Sequence, residues 1–419
     1  MLDLKFIREN KKLVEKNCQD RQVKVNVGAL LALDEKRRDL LKLAEEKRAL
    51  RNQKSKGKPS EAEITKMRAV GEEIKQVEAE LSQVESDLRE IWLKVPNLTH
   101  PAAPIGGEED FKVVYTSKQK GGFDFDPKDH ETLMTDLDLI DFERGTKVAG
   151  PKFYFCKNKL VRLNQALINY GMDVLEKHGF ELMETPDVAK NEILLGIGFN
   201  PRGPETQVYS VEGTDLSLIG TAEITMGGYH ANEILDLSKG PKKYAALSHC
   251  FRTEAGAYGK TSKGLYRVHQ FTKLEMFIYC KPEESEKLHR ELLAIEKEIV
   301  DGLEIPYRVI DIASGDLGGP AYRKYDLEAF MVMRGEGKKQ GDYGEITSTS
   351  NCTDYQARRL NIKYRQEDGG SDFVHTLNGT AVVLSRFPLA LVENHQRPDG
   401  TIGIPKALQK YTGFKVMGK

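Results

Sequence analysis

The feature that most limits the fold is a run of apolar residues at alternating steps of three and four: Met67, Val70, Ile74, Val77, Leu81, Val84, Leu88, Ile91 and Val95. A period of 3.5 sustained over four heptads is the seam of a two-stranded coiled coil, so a second helix must lie against it. The preceding segment, Ala29 to Lys54, supplies one, with Leu33, Leu40, Leu43 and Leu50 as its apolar anchors. Between the two lies Ser55-Lys56-Gly57-Lys58-Pro59-Ser60. Gly and Pro end the first helix, and Ser60 with Glu63 forms a capping box for the second. The economical arrangement is an antiparallel helical hairpin. Its second helix, Glu63 to Val95, would reach about 50 Å at 1.5 Å per residue.

Such a hairpin is too thin for a deep core, and its charges carry more information. Ten basic residues stand against five acidic ones between Asp34 and Lys58, and the excess gathers toward the tip. A solvated face with i,i+4 pairs such as Asp34–Arg38 explains this, and so does an arm that contacts phosphates. The whole chain of 419 residues carries a net charge of only −1, so any nucleic-acid surface must come from such clustering. The start has no apolar signal segment, and no run of 18 apolar residues suggests a membrane span. Five scattered cysteines form no C-x-x-C pair. A zinc site or disulfide framework is therefore not expected, and a reducing, cytoplasmic setting is.

Three prolines and two Gly-Gly pairs mark residues 101–122 and the stretch just before them as a linker between an N-terminal helical domain (1–100) and a second domain (123–419). Beyond it strands, aromatics and turns alternate. Phe251 to Phe277 contains Gly259-Lys260-Thr261, which looks like the end of a phosphate-binding loop. The first glycine of that motif would fall at 254, which is Glu, and the residues from Leu265 onward alternate with period two, as a strand does. The segment reads instead as an antiparallel hairpin. Arg252 and Glu254 share one face of the incoming strand, and Arg267, Phe271 and Glu275 one face of the outgoing strand. Two arginines, an aromatic ring and two carboxylates on one sheet face suit a nucleotide and an amino acid held together.

Phe251-Arg252-Thr253-Glu254 with Tyr266-Arg267-Val268-His269-Gln270-Phe271 resembles motif 2 of the class II aminoacyl-tRNA synthetases, in detail that of the seryl-tRNA synthetase family, bacterial or organellar in type. The likeness covers essentially the whole chain. It implies an α+β fold: an antiparallel-sheet catalytic domain preceded by a two-helix coiled-coil arm. It also implies ATP contacts from Arg252, Thr253, Glu254, Arg267, Val268, Phe271, Glu345, Ile346, Thr347, Ser348 and Arg386, with Arg252 and Arg386 catalytic. Thr221, Ala222, Glu223, Arg252, Glu275, Asn378 and Thr380 would bind serine, and Glu345 and Ser348 would hold Mg²⁺. The stretch from Gly344 to Asn351 reads as a strand with Glu345, Thr347 and Thr349 on one face and Ser348 and Ser350 on the other. Asn378 to Arg386 resembles motif 3, but Ala381, Val382 and Ser385 stand where glycines are usual, and Pro388 follows closely. Leu163 to Pro186 resembles motif 1, the dimer element.

The resemblance implies ATP, L-serine and a serine tRNA as partners. The tRNA would be read through its long variable arm by Arg37, Arg38, Lys42, Lys47, Arg48, Arg51 and Lys54. A selenocysteine tRNA as a second acceptor rests on the resemblance alone. A paralogue that loads a carrier protein would lack the arm, a non-catalytic RNA-binding homologue would lack the charged motif residues, and a threonyl enzyme would need zinc ligands.

Overall fold

The computed structural model describes residues 1–53, 61–199, 207–254 and 264–418. The chain divides into two compact units, Met1–Thr99 and His100–Lys419.

In the first unit, helices α1 (Leu4–Glu9) and α2 (Lys11–Asp20) precede two long ones, α3 (Val27–Gln53) and α4 (Glu61–Lys94). The long pair is antiparallel, since Lys36 meets Glu80 and Lys47 meets Glu73. Its base is a true core, in which Leu2, Leu4, Ile7, Val14 and Cys18 pack with Val27, Leu30, Leu88 and Val95. Further out Leu40 and Ala44 meet Val77 and Val84. The seam on α4 is where the heptads put it. That on α3 is not, because Leu43 and Leu50 are each 39% exposed. Counting from Leu40, the helix turns its four-residue step inward, so the small Ala44 fills the seam and Leu43 flanks it. The proposed glycine–proline stop and the Ser60 cap lie outside the described residues, as does Lys54.

The second unit is built on one sheet of eight strands, numbered here within that sheet: β1 (Lys112–Thr116), β2 (Glu181–Glu184), β3 (Lys242–Phe251), β4 (Gln270–Cys280), β5 (Tyr307–Asp311), β6 (Arg323–Met331), β7 (Asp342–Asn351) and β8 (His375–Val383). The spatial order is β1-β5-β6-β7-β8-β4-β3-β2. Every pairing is antiparallel except that of β2 with β3. Strand β1 falls inside the stretch read as linker; five residues of that stretch are the edge of the sheet.

Helices α5 (His130–Asp136), α6 (Lys159–Lys177), α7 (Asn191–Ile197), α8 (Ala222–Gly228), α9 (Ser285–Gly302), α10 (Tyr355–Leu360) and α11 (Arg386–Asn394) surround the sheet. Period-two alternation on β4 explains the layers. Leu274, Met276 and Ile278 join the main core with residues of α6, α9 and α11. Phe277 and Tyr279 join a second core on the other face, with residues of α7, α8 and α10. That second cover is partial. Lys273 and Glu275 continue the same face of β4 into the region that α7, α8 and α10 leave open.

Candidate active site

That open region is a cavity of about 450 Å³ measured out to its mouth, lined by Arg252, Glu254, Tyr266, Arg267, Val268, Phe271, Lys273, Glu345, Ile346, Thr380, Val383, Ser385 and Arg386. Strands β4, β8 and β7 and the segments that leave β3 and β8 or enter β4 deliver these residues, because β3, β4, β8 and β7 are consecutive neighbours. Register places Cys250 opposite Phe271, and Thr380 opposite Glu275.

The two limbs of the expected hairpin are shorter than alternation suggested. Strand β3 ends at Phe251, just before Arg252, and β4 begins at Gln270, so Arg267 lies in an irregular turn and not on a strand. Glu254 adopts a positive φ of 49°. The intervening residues 255–263, including Gly259-Lys260-Thr261, lie outside the described residues. His269 holds the incoming limb: its Nδ1 lies 2.9 Å from the Arg252 carbonyl oxygen, and its own carbonyl accepts from the Arg252 N–H at 3.0 Å. Thr253 does not line the cavity, and its N–H donates to the Gln207 carbonyl at 3.1 Å.

Arg252 donates from Nε to the Gly220 carbonyl at 3.2 Å and lies 5.4 Å from the centre of the Phe271 ring. Arg267 bonds Glu254 at 3.1 Å. Arg386 pairs with Glu345 at 2.8 Å and lies over the Tyr266 ring at 4.7 Å. Burial pushes the Glu345 carboxyl up, but Arg386 and Lys324 outweigh it and the net shift is downward. Arg386 begins α11, and Pro388 sits in the first turn of that helix, where a missing N–H costs no intrahelical bond. Val382, bulky for its position in motif 3, packs where a Cβ on Gly171 of α6 would stand, so a glycine there receives the branched side chain.

The expected facing of β7 fails at one point. Leu327 pairs with Thr347 but Glu328 pairs with Glu345, so Ile346 is the extra residue of a β-bulge. Beyond the bulge the faces exchange. Thr347 donates to Glu296 of α9 at 2.9 Å, on the far side of the sheet, so its hydroxyl does not face the cavity. Glu345 and Ser348, which strict alternation sets apart, come to the same face. Ser348 lies opposite Asp326, whose buried Oδ1 has no hydrogen bond among the described residues. This oxygen-rich set fits a hard cation that keeps waters and substrate phosphates as further ligands. Among the described residues no group of three His, Cys, Asp or Glu side chains is arranged to hold a metal ion by itself.

Deeper in, Thr221 is the N-cap of α8 and also accepts from Lys273 Nζ at 3.3 Å. Ala222 is fully buried in the second core and presents no side chain to the cavity. Glu223 accepts from Gln356 at 2.8 Å and Asn378 at 2.9 Å, and burial raises its carboxyl above the ordinary range. Glu275 is 1% exposed, and its Oε2 touches the Lys273 ammonium. Burial lifts it to about 7, against the pull of Lys273. A buried carboxylate held by one lysine, with Thr380 opposite it in register, is suited to exchange that partner for an incoming ammonium or hydroxyl group.

The core domain of class II tRNA synthetases for G, H, P, S and T matches residues 207–395, and the seryl-tRNA synthetase N-terminal domain matches residues 1–99. A serine–tRNA ligase of Treponema denticola is 54% identical over 100% of both chains. One from Rubrobacter xylanophilus is 50% identical over 100% of this chain and 99% of its own. The chain belongs to the seryl-tRNA synthetase family. A crystal structure of the Pyrococcus horikoshii seryl-tRNA synthetase complexed with ATP superposes with a TM-score of 0.90 at 38% identity, covering 100% of this chain and 99% of that one.

Several residues of this synthetase site have roles that the motifs did not assign. Lys273 stands between Phe271 and Glu275 on the same period-two face, and that spacing was the available signal. Tyr266 donates to the Glu345 carbonyl at 3.2 Å and accepts from Arg334 at 2.9 Å. Gln356 bridges Glu223 and Thr376. Nothing local in sequence marks Arg334 or Gln356.

Proposed function

We infer that the protein activates serine with ATP and passes the seryl group to the 3′ end of a tRNA. The carrying observation is that one cavity gathers Phe271, Glu345 and Thr380 from three adjacent strands and three arginines from the segments that flank them. In the first step the serine carboxylate attacks the α-phosphorus in line and pyrophosphate leaves. Such chemistry asks the protein for positioning and charge neutralisation. Arg252 bridges the serine carboxylate and the α-phosphate, with Phe271 beneath the adenine and Glu254 toward its amino group. Arg267 and Arg386 hold the β- and γ-phosphates. Glu345 and Ser348 are the residues that would hold a magnesium ion, which when bound supplies positive charge at the phosphates. Glu275 and Thr380 read the serine ammonium and hydroxyl, with Thr221, Glu223 and Asn378 behind them. A site with dedicated partners for a hydroxyl rejects analogues lacking it by roughly 10⁴–10⁵, so alanine and glycine are excluded.

The tRNA is held by the helical arm, the serine tRNA through its long variable arm. Lys36, Arg37, Arg38, Lys47 and Arg48 are engaged by acidic neighbours of the arm, whereas Lys42 and Arg51 form no ion pair among the described residues. These two are the first candidates for phosphate contacts. The active form is a homodimer through α6 and β2, where Val161 and Leu182 remain exposed. No helix among the described residues is long and apolar enough to cross a membrane, and all five cysteines are free thiols, in keeping with the cytoplasm. ATP–pyrophosphate exchange across a panel of amino acids tests the reading. Exchange with serine alone is expected; exchange with another amino acid, or none with serine, overturns it.

A further inference from the structure

Outside the cavity, His130 at the start of α5 and Glu393 near the end of α11 form a pair with neither side chain exposed. Glu393 Oε1 accepts from both the His130 backbone N–H and the ring Nδ1, each at 2.8 Å, and its Oε2 accepts from the Met333 N–H at 3.2 Å. The other ring nitrogen, Nε2, accepts the Leu265 N–H at 3.0 Å. A backbone N–H can only donate, so Nε2 carries the lone pair and the proton sits on Nδ1, facing the carboxylate. The neutral imidazole is thus a two-ended connector between α11 and the returning limb of the hairpin.

That limb needs one. Residues 264–269 precede β4 and have no strand partner. Gly264 has a φ of 56°, and a Cβ there would fall 2.1 Å from His130 Nε2, so the chain passes directly against the ring. Leu265 is followed by Tyr266, whose ring underlies both Arg386 (4.7 Å) and Arg334 (4.9 Å) and whose hydroxyl bonds the Glu345 carbonyl. Position is therefore handed along the chain from Glu393 through His130 and Leu265 to Tyr266, and from there to Arg386, assigned to the far phosphates, and to the Glu345 backbone.

We propose that His130 and Glu393 are positioning residues for ATP: by fixing Leu265 they seat Tyr266 beneath Arg386 and Glu345. This rests on the activity inferred above. The serine side of the site has its own supports, Gln356, Asn378 and Lys273, and none of them contacts the pair.

The test is steady-state ATP–pyrophosphate exchange with H130F, which keeps a ring and removes both ring bonds, and with H130Q, which keeps one donor and one acceptor. For H130F the expected result is a loss in kcat/KM for ATP of roughly tenfold to a hundredfold, the scale set by a misplacement of about 1 Å. The KM for serine should stay within about twofold, and H130Q should recover part of the loss. Combining H130F with Y266F should cost no more than the larger single effect, since both act on one contact chain. Unchanged ATP kinetics in H130F with only a lowered Tm, equal loss for ATP and serine, or full additivity with Y266F would overturn the proposal. If H130F does not fold, H130Q and Y266F are compared in the same way, and additive losses refute it. Absence of serine-dependent exchange in the unaltered enzyme would refute the functional reading instead, so the two failures are distinct.

Discussion

Glu275 gives the sharpest handle on substrate recognition, because burial lifts its carboxyl from the ordinary value near 4.5 to about 7 in the ligand-free site. An acid with a raised pKa is neutral below it and charged above it. Serine keeps its ammonium group protonated throughout the working range, so binding favours ionised Glu275 and releases a proton when it begins from the neutral form. Between pH 8 and pH 6 the ionised fraction falls by roughly tenfold for a pKa near 7. The KM for serine should therefore rise roughly tenfold over that interval, while kcat at saturating serine changes little. E275Q removes a charge-assisted bond worth roughly 1.5–3 kcal/mol, about ten- to a hundredfold in KM. It should also flatten the pH dependence, since the titrating group is gone. The assay is pyrophosphate exchange at saturating ATP across pH 5.5–8.5, with the KM for ATP as the internal control. A serine KM that stays constant from pH 6 to 8, or an E275Q variant that keeps the wild-type slope, would refute the assignment of the ammonium to Glu275.

R252A should abolish serine-dependent exchange; normal exchange would remove Arg252 from the mechanism. Deleting residues 45–76 with a short turn between Ala44 and Val77 should leave exchange within about twofold and abolish tRNA charging. This cut is better than removing Ala29–Val95, which would take Leu30, Leu88 and Val95 out of the N-terminal core. Equal loss of both activities would contradict the division of labour. Glu296 is fully buried and its carboxyl is held well above the usual range by burial. A raised folded pKa means that its ionisation penalty is absent near pH 4 and present above the folded value. E296Q should therefore leave the denaturant midpoint unchanged at pH 4 and raise it at pH 9, and a fall at pH 9 would speak against a protonated Glu296.

Hydrophobic spacing exposed the arm and the alternating strands because burial acts on every turn and every second residue. It missed where the pattern is broken by a single residue. The Ile346 bulge exchanged the faces of Thr347 and Glu345, and no local composition announces a bulge, whose cause is pairing with a strand distant in sequence. Strand β1 hid in a Pro/Gly-rich stretch because an exposed edge strand needs no apolar face. Leu43 and Ala44 compete for one seam position on α3, and only the partner helix decides between them. Motif likeness supplied Arg252, Arg386 and Glu275. Lys273 was open to the same period-two count as Phe271 and Glu275, whereas Tyr266 and the His130–Glu393 pair act through tertiary contacts, which no linear spacing encodes.

The ligand-free site is nevertheless far from a set of bare charges. Arg386 holds Glu345, Arg267 holds Glu254, and Lys273 touches Glu275. Arg386–Glu345 and Arg267–Glu254 each join two residues assigned to ATP or its metal, and Lys273 pairs with the residue assigned to the serine ammonium, so the charges of the ligand-free cavity are paired with one another. Binding then exchanges partners: phosphates for Glu345 at Arg386, the adenine amino group for Arg267 at Glu254, the serine ammonium for Lys273 at Glu275. An exchange avoids the desolvation that would be needed to hold isolated charges ready in a partly buried site. It follows that E345Q and R386Q should fail for different reasons. R386Q removes a phosphate contact and should raise the KM for ATP. E345Q frees Arg386 from its resting partner, so ATP binding measured without divalent metal should hold or tighten while exchange in its presence collapses. Weaker metal-free ATP binding in E345Q would show that the resting Arg386–Glu345 pair does not compete with the triphosphate.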